Sequence, residues 1–148
     1  MVTKAQRLCF DTNALIYLLE GVRPYHAWVD RLFSDMEQMG RQVVLSVVTE
    51  AELLVRPLRE NDLGKIARIQ VTTDAPNVSV VATSRQIARE AAAIRADIDI
   101  KLPDAIIVAT AIATDCDALV GNDSRCAGRV KAIPYIYLED AIANGRVV

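Results

Sequence analysis

Four acidic side chains have the types and positions to support a reaction: Asp11, Glu52, Asp104 and Asp123. Asp11 and Asp123 directly follow short apolar segments that are typical of buried strands. Asp104 follows Pro103 in the first turn of a predicted buried helix, and Glu52 lies on the helix after the second strand. Such positions meet at the carboxyl edge of a parallel sheet, where ligand sites lie. We therefore expect the four carboxylates to share one rim.

Each of these acids also has a purely structural interpretation. Asp11 can cap a helix, Asp104 can complement a helix dipole, and Asp123 can form a turn. Glu52 can belong to a solvated helical face. Asp117 is a weaker candidate for the site, because it precedes its strand and so faces the opposite edge of the sheet.

Close approach of the four carboxylates would require compensation. At about 5 Å and an effective dielectric constant of about 20, each pair repels by about 3 kcal/mol. That is large beside a domain stability of about 5–15 kcal/mol, and Lys101 is the one lysine adjacent in sequence. A divalent cation would relieve the repulsion, and an all-oxygen set favours Mg²⁺ or Mn²⁺ over zinc. The natural chemistry of such a site is attack of a metal-activated water on a phosphodiester.

Other kinds of site have little support. The single histidine, His26, lies in an ordinary helical segment, which argues against a Ser-His-Asp triad and against a histidine-ligated metal. Cys9, Cys116 and Cys126 form no CxxC pair, so they are expected to be reduced thiols rather than zinc ligands.

Length and composition indicate one domain over residues 1–148 with an aliphatic core. Hydrophobic residues make up 52% of the chain, whereas aromatic residues make up 5%. The chain has no apolar run of about 18 residues, so we expect no membrane span. Residues 1–7 lack the hydrophobic region of a signal peptide, and we therefore expect a cytoplasmic protein. The net charge of −2 gives no overall attraction to nucleic acid, although basic patches remain compatible with it.

Alternating patterns predict strands and helices in turn. The predicted strands are 8–10, 43–46, 78–81, 117–121 and 133–138, the last at a sheet edge because Pro134 is tolerated there. The predicted helices begin near residue 14 and then cover 25–39, 47–56, 59–71, 84–96 and 104–114, and one helical turn is expected in 139–148. Pro57 is expected to break or offset the third helix. This order predicts an α/β fold with a mainly parallel sheet of four to five strands.

Four segments resemble the PIN domain, and within it the VapC-type toxins of bacterial and archaeal toxin–antitoxin pairs. They are FDTN (10–13), SVVTEAEL (46–53), LPDAIIVATA (102–111) and LVGND (119–123), and their order and spacing cover nearly the whole chain. The chain departs from the family pattern at Gly121, where threonine is frequent, and near Cys126, where an aromatic residue is frequent.

This resemblance implies a PIN-like three-layer α/β/α fold and a Mg²⁺- or Mn²⁺-dependent ribonuclease whose acidic cluster is Asp11, Glu52, Asp104 and Asp123. It implies supporting roles for the polar residues Thr12, Asn13, Ser46, Thr49 and Asn122. It also implies a homodimer and inhibition by a cognate antitoxin that packs on apolar helices.

Within that hypothesis, Asp11 and Asp104 are primary metal ligands, and Glu52 and Asp123 bind directly or through water. Several basic residues could hold the RNA backbone or could be scattered solvated charge: Arg56, Arg59, Arg125, Arg129 and Lys131. An apolar stripe could form an antitoxin groove or could belong to the core: Leu15, Leu18, Leu19, Trp28 and Leu32. The alternatives are a catalytically silent PIN-like binding module and, with less support, a Mg²⁺-dependent phosphohydrolase or receiver-type domain.

Overall fold

The apolar segments predicted as strands pair in one parallel sheet in the computed structural model, which describes residues 4–145. The strands are β1 (Arg7–Phe10), β2 (Gln42–Ser46), β3 (Val78–Val81), β4 (Ala118–Gly121) and β5 (Tyr135–Tyr137). Their order is β3-β2-β1-β4-β5, and every pair is parallel. The predicted parallel sheet and the predicted edge position of the last strand are therefore confirmed.

Eight helices connect and flank the strands within the described residues. They are α1 (Thr12–Glu20), α2 (His26–Gln38), α3 (Val47–Arg59), α4 (Leu63–Thr73), α5 (Arg85–Asp97), α6 (Leu102–Ala113), α7 (Ser124–Arg129) and α8 (Leu138–Ala143). The predicted turn in 139–148 is the end of α8; residues 146–148 lie outside the described part. The extent of the domain over 1–148 stays a prediction.

Two predicted boundaries around Pro57 were wrong. Pro57 lies inside α3, which continues to Arg59 although proline has no N–H to donate to the carbonyl four residues earlier, and the Pro57 side chain is buried. The next helix begins at Leu63 and not at Arg59. Asn61 adopts a left-handed φ of 51°, and Asp62 then caps α4 by accepting a hydrogen bond from the Lys65 N–H.

Alternation along the central strands produces three layers. In β1, Leu8 and Phe10 face one apolar cluster, whereas Cys9 between them faces the other. The first cluster joins the sheet to α1, α2 and α3, and the second joins it to α5 and α6. Strands that are buried on both faces need apolar residues at every position, which explains the unbroken apolar runs in the sequence.

The strand order creates a crevice between β1 and β4. The chain runs from β1 outward through β2 to β3, and then returns to place β4 on the other side of β1. Connections on the two sides leave from β1 and β4 in opposite directions, so no crossover covers the carboxyl ends of these strands. Asp11 follows β1 and Asp123 lies two residues after β4, so both stand at this crevice.

The opposite edge of the sheet holds Asp117, as its position before the fourth strand predicted. Its Oδ2 accepts hydrogen bonds from the backbone N–H groups of Gln6 (2.8 Å) and Arg7 (3.0 Å), which join β1 to the entry of β4. Asp117 therefore has a structural role. Among residues 4–145, no helix is both long enough and apolar enough to cross a membrane.

We predict that Asp117→Ala lowers the free energy of unfolding by about 1–2 kcal/mol, because two backbone N–H groups lose their acceptor. Urea unfolding followed by circular dichroism measures this change. Glu37→Ala, at an exposed site near the end of α2, is the control and should change stability by about 0.5 kcal/mol or less. Equal stabilities of the two variants would contradict the role given to Asp117.

Candidate active site

Asp11 is partly buried at the start of α1. It precedes α1 and caps it: Oδ1 accepts a hydrogen bond from the Ala14 N–H at 3.0 Å, so the structural interpretation of this residue also holds. The Tyr135 hydroxyl lies 3.4 Å from Oδ2 and donates to it. Burial raises the pKa of Asp11 to about 7; the Ala14 hydrogen bond opposes this rise, and the negative charge of Asp104 adds to it.

Glu52 reaches the site from α3 and is held by Thr12. The Thr12 hydroxyl donates to Glu52 Oε1 at 2.6 Å, and the Thr49 hydroxyl lies 3.2 Å from that of Thr12. Ser46 positions α3 itself, because its Oγ accepts a hydrogen bond from the Val48 N–H. The residue that follows Asp11 in the chain thus orients a carboxylate that is otherwise exposed.

Asp104 and Asp123 form the tightest part of the site together with Cys126. One ligand atom from each of the three residues lies within 4.8 Å of the others. Asp123 is fixed as the cap of α7, because its Oδ1 accepts from the backbone N–H groups of Arg125 (2.8 Å) and Cys126 (3.0 Å). Asp11 and Glu52 belong to no group this tight in residues 4–145.

Asp104 connects the four carboxylates electrostatically. Burial raises its pKa, and the negative charges of Asp123 and Glu52 raise it further, while Lys101 and Arg125 oppose the rise. Asp104 also contributes to the raised pKa of Asp11. All four predicted acids therefore lie within electrostatic reach of one residue at the carboxyl edge, although they do not form a single compact cluster.

The donor set fits a hard divalent cation. Asp104 and Asp123 offer carboxylate oxygens, which Mg²⁺ and Mn²⁺ prefer. The neighbouring Cys126 thiol has its pKa raised to about 12, first by burial and then by the charges of Asp104 and Asp123. This thiol stays protonated at neutral pH, so it does not supply the thiolate that zinc would favour.

Sequence reasoning missed two groups of this site. The Asn122 backbone N–H, which was expected to belong to a supporting residue, donates a hydrogen bond to Asp11 and opposes the rise of its pKa. The Asn122 side-chain amide donates to the Tyr17 hydroxyl and accepts from the Glu139 N–H, so it joins α1 to α8. Tyr135 and Cys126 were not predicted as site residues. Tyr135 approaches from β5, past β4, and no local spacing in the sequence reveals such a contact.

The apolar stripe proposed as a groove belongs mainly to the core. Leu15 and Leu32 are fully buried, and Leu18, Leu19 and Trp28 pack partly buried against the same cluster. The sequence left both alternatives open because helical periodicity alone does not tell a buried stripe from an exposed one. A separate cavity of about 210 Å³ opens between α1, α3 and α4, and Glu52 lies on its wall.

Comparison with known proteins identifies the family. A family model of the PIN domain matches residues 8–132, so the chain belongs to the PIN domain family. No curated protein sequence matches the chain at a comparable level. The three-layer PIN fold predicted from the motifs is thereby confirmed.

Solved structures with the same fold are toxin chains of toxin–antitoxin systems. A toxin–antitoxin complex from Klebsiella pneumoniae shares 27% identity (TM-score 0.63; 86% of this chain and 98% of that chain covered). VapBC2 from Rickettsia felis, bound to a promoter DNA fragment, shares 15% (TM-score 0.69; 88% and 98%). VapC20 from Mycobacterium tuberculosis, a sarcin–ricin loop cleaving toxin, shares 16% (TM-score 0.66; 86% and 99%).

We predict that Asp11→Asn stabilises the metal-free protein at pH 8. The pKa of Asp11 is about 7 in the folded chain against 3.8 as its ordinary value, so ionisation above pH 7 opposes folding. At about 1.4 kcal/mol per pKa unit, the shift corresponds to a loss of folding stability of as much as about 4 kcal/mol. This loss is absent below pH 4 and complete above pH 7. Unfolding in EDTA at pH 5 and pH 8 measures it.

The matched control for this experiment is Asp117→Asn, which neutralises an acid at the opposite edge. In the wild type and in this control, stability should fall between pH 5 and pH 8, whereas Asp11→Asn should show a weaker fall. The same pH dependence in all three proteins would contradict the burial of an ionisable Asp11.

Proposed function

We propose that the protein is a Mg²⁺- or Mn²⁺-dependent endoribonuclease and the toxin of a toxin–antitoxin pair. The observation that carries this proposal is the approach of Asp11, Glu52 and Asp123 to Asp104 at the open crevice of a PIN fold. The toxin structures with the same fold, one of which is a sarcin–ricin loop cleaving toxin, support RNA as the substrate.

Asp104 and Asp123 would hold the ion, and Asp11 and Glu52 would complete the site directly or through water. A bound divalent ion would supply charge stabilisation at the phosphate and a more acidic water. The chain's own residues do the rest. Thr12 orients Glu52, the α1 backbone orients Asp11, and the α7 backbone orients Asp123.

We propose that two basic side chains near Asp104 bind the RNA backbone. Lys101 and Arg125 are exposed, and both lie close enough to Asp104 to oppose the rise of its pKa. Their positive charge can hold a phosphate next to the acidic residues, which by themselves would repel it. The charge of Arg56 is less available to RNA, because its Nε forms an ion pair with Glu60 Oε1 at 2.9 Å.

We predict that Asp11→Asn and Asp104→Asn each lower the rate of RNA cleavage by at least about 100-fold in the presence of Mn²⁺. Each variant loses a carboxylate charge at the ion. Cleavage of a fluorescent RNA with and without EDTA measures the effect, and Asp117→Asn is the matched control. Full activity of Asp11→Asn would contradict the assignment. A wild-type protein without chelator-sensitive cleavage would favour the silent binding module instead.

We also propose that a cognate antitoxin occupies the cavity between α1, α3 and α4. Its apolar wall is formed by Ile16, Leu19, Leu53, Pro57 and Ile69, and its rim carries Arg56, Lys65 and Arg68. A segment with apolar side chains and acidic flanks would fit this surface. Because Glu52 forms part of the same wall, an occupant would lie beside the acidic residues and block access to them. A homodimer is a further expectation from the resemblance, and a cytoplasmic location is a further expectation from the sequence.

We predict that Leu19→Asp weakens inhibition by the antitoxin by at least about tenfold while RNA cleavage continues, because a charge replaces an apolar contact in the cavity. Inhibition curves measure it; the antitoxin is to be sought as the product of a small open reading frame immediately upstream of this gene. Met39→Asp is the control, since Met39 is exposed at the far end of α2. Equal inhibition of both variants would exclude this cavity as the docking site.

A further inference from the structure

Three residues from the ends of different strands meet at this site. Asp11 follows β1, Gly121 ends β4, and Tyr135 begins β5. The Tyr135 side chain extends along the sheet toward the carboxyl edge, where its hydroxyl donates to Asp11 Oδ2 at 3.4 Å. The same hydroxyl accepts a hydrogen bond from the Asp123 N–H at 3.1 Å. One oxygen atom therefore connects the two acids that follow the two central strands.

Gly121 provides the space for this contact. A β-carbon built on Gly121 would lie 2.8 Å from Asp11 Cγ and would overlap both the Asp11 carboxylate and the Tyr135 hydroxyl. The backbone of Gly121 does not have a positive φ, so the requirement for glycine here is steric and not conformational. The Asp11 carboxylate and the Tyr135 hydroxyl thus occupy a volume that any larger residue at position 121 would fill.

The hydrogen bonds leave Asp11 with one orientation. Its Oδ1 accepts from the Ala14 N–H and its Oδ2 accepts from the Tyr135 hydroxyl, and the Asn122 backbone N–H also donates to this carboxylate. The backbone at Asp123 is fixed in turn by the same tyrosine. Carboxylate ligands that are oriented by such outer partners bind metals more tightly than unsupported ones.

We propose that Tyr135 is a positioning residue of the active site, made possible by Gly121, and that its hydroxyl sets the orientation of Asp11 and Asp123 for divalent-cation binding. This inference rests on the proposed metal-dependent nuclease. It does not require Tyr135 to touch the RNA or the ion.

The test compares Tyr135→Phe with Tyr137→Phe. Both variants lose one hydroxyl from β5, but within residues 4–145 the Tyr137 hydroxyl makes no hydrogen bond to Asp11 or Asp123.

Mn²⁺ binding without RNA is measured by electron paramagnetic resonance, and RNA cleavage is measured over a range of Mn²⁺ concentrations. Tyr135→Phe should weaken Mn²⁺ binding about tenfold and lower kcat by a similar factor, with an unchanged KM for RNA. Tyr137→Phe should leave all three quantities at wild-type values.

A second variant separates positioning from general support of the fold. Gly121→Ala should also weaken Mn²⁺ binding, because the added methyl group displaces the Asp11 carboxylate. In the Tyr135→Phe background, where the overlapping hydroxyl is absent, the same substitution should cause a smaller further loss than it causes alone. A loss of thermal stability without a change in Mn²⁺ binding would assign Tyr135 a structural role only.

The outcomes distinguish this proposal from the proposed function. Wild-type Mn²⁺ binding and kcat in Tyr135→Phe, with Asp11→Asn inactive, would overturn the role of Tyr135 and leave the nuclease in place. Strictly multiplicative losses in the double variant would overturn the coupling of positions 121 and 135. A wild-type protein that binds no Mn²⁺ would overturn both proposals.

Discussion

The partial burial of carboxylates that also repel one another is the constraint on which the rest of the structure depends. The reversal of strand order around β1 brings the ends of β1 and β4 together at an uncovered crevice, and the chain places an acid after each. Burial and mutual charge raise the pKa values of Asp11 and Asp104, so the folded chain holds these groups in an unfavourable state at neutral pH. The large apolar layers on both faces of the sheet supply the stability that permits this arrangement.

Helix caps explain how the acids are held despite this repulsion. Asp11 caps α1 and Asp123 caps α7, so each carboxylate accepts hydrogen bonds from backbone N–H groups while it faces the crevice. The structural and functional interpretations of these residues are therefore compatible, because one carboxylate can cap a helix and also face the crevice. Glu52 lacks a cap of this kind and depends on the hydroxyl of Thr12.

The features that could be predicted are those that depend on the local periodicity of apolar residues and on the order of strands and helices along the chain. Unbroken apolar runs identified the five strands, and their alternation with helices identified the parallel sheet. The short helix α7 was missed because its six residues carry little periodic signal. The burial of Leu15 and Leu32 could not be decided from the sequence, because burial depends on neighbours that are distant in the chain. The contact between Tyr135 and Asp11 spans 124 residues, and no rule of spacing reaches across that separation.

The close packing of Gly121 against Asp11 and Tyr135 has a consequence for the divergence of this chain from its relatives. If residue 121 becomes larger while Tyr135 is present, the new side chain overlaps the tyrosine hydroxyl. If Tyr135 is lost while residue 121 is still glycine, an unfilled space is left beside Asp11. Neither single substitution is neutral, so the two positions are expected to co-vary. Lineages that carry threonine at the first position should seldom keep tyrosine at the second.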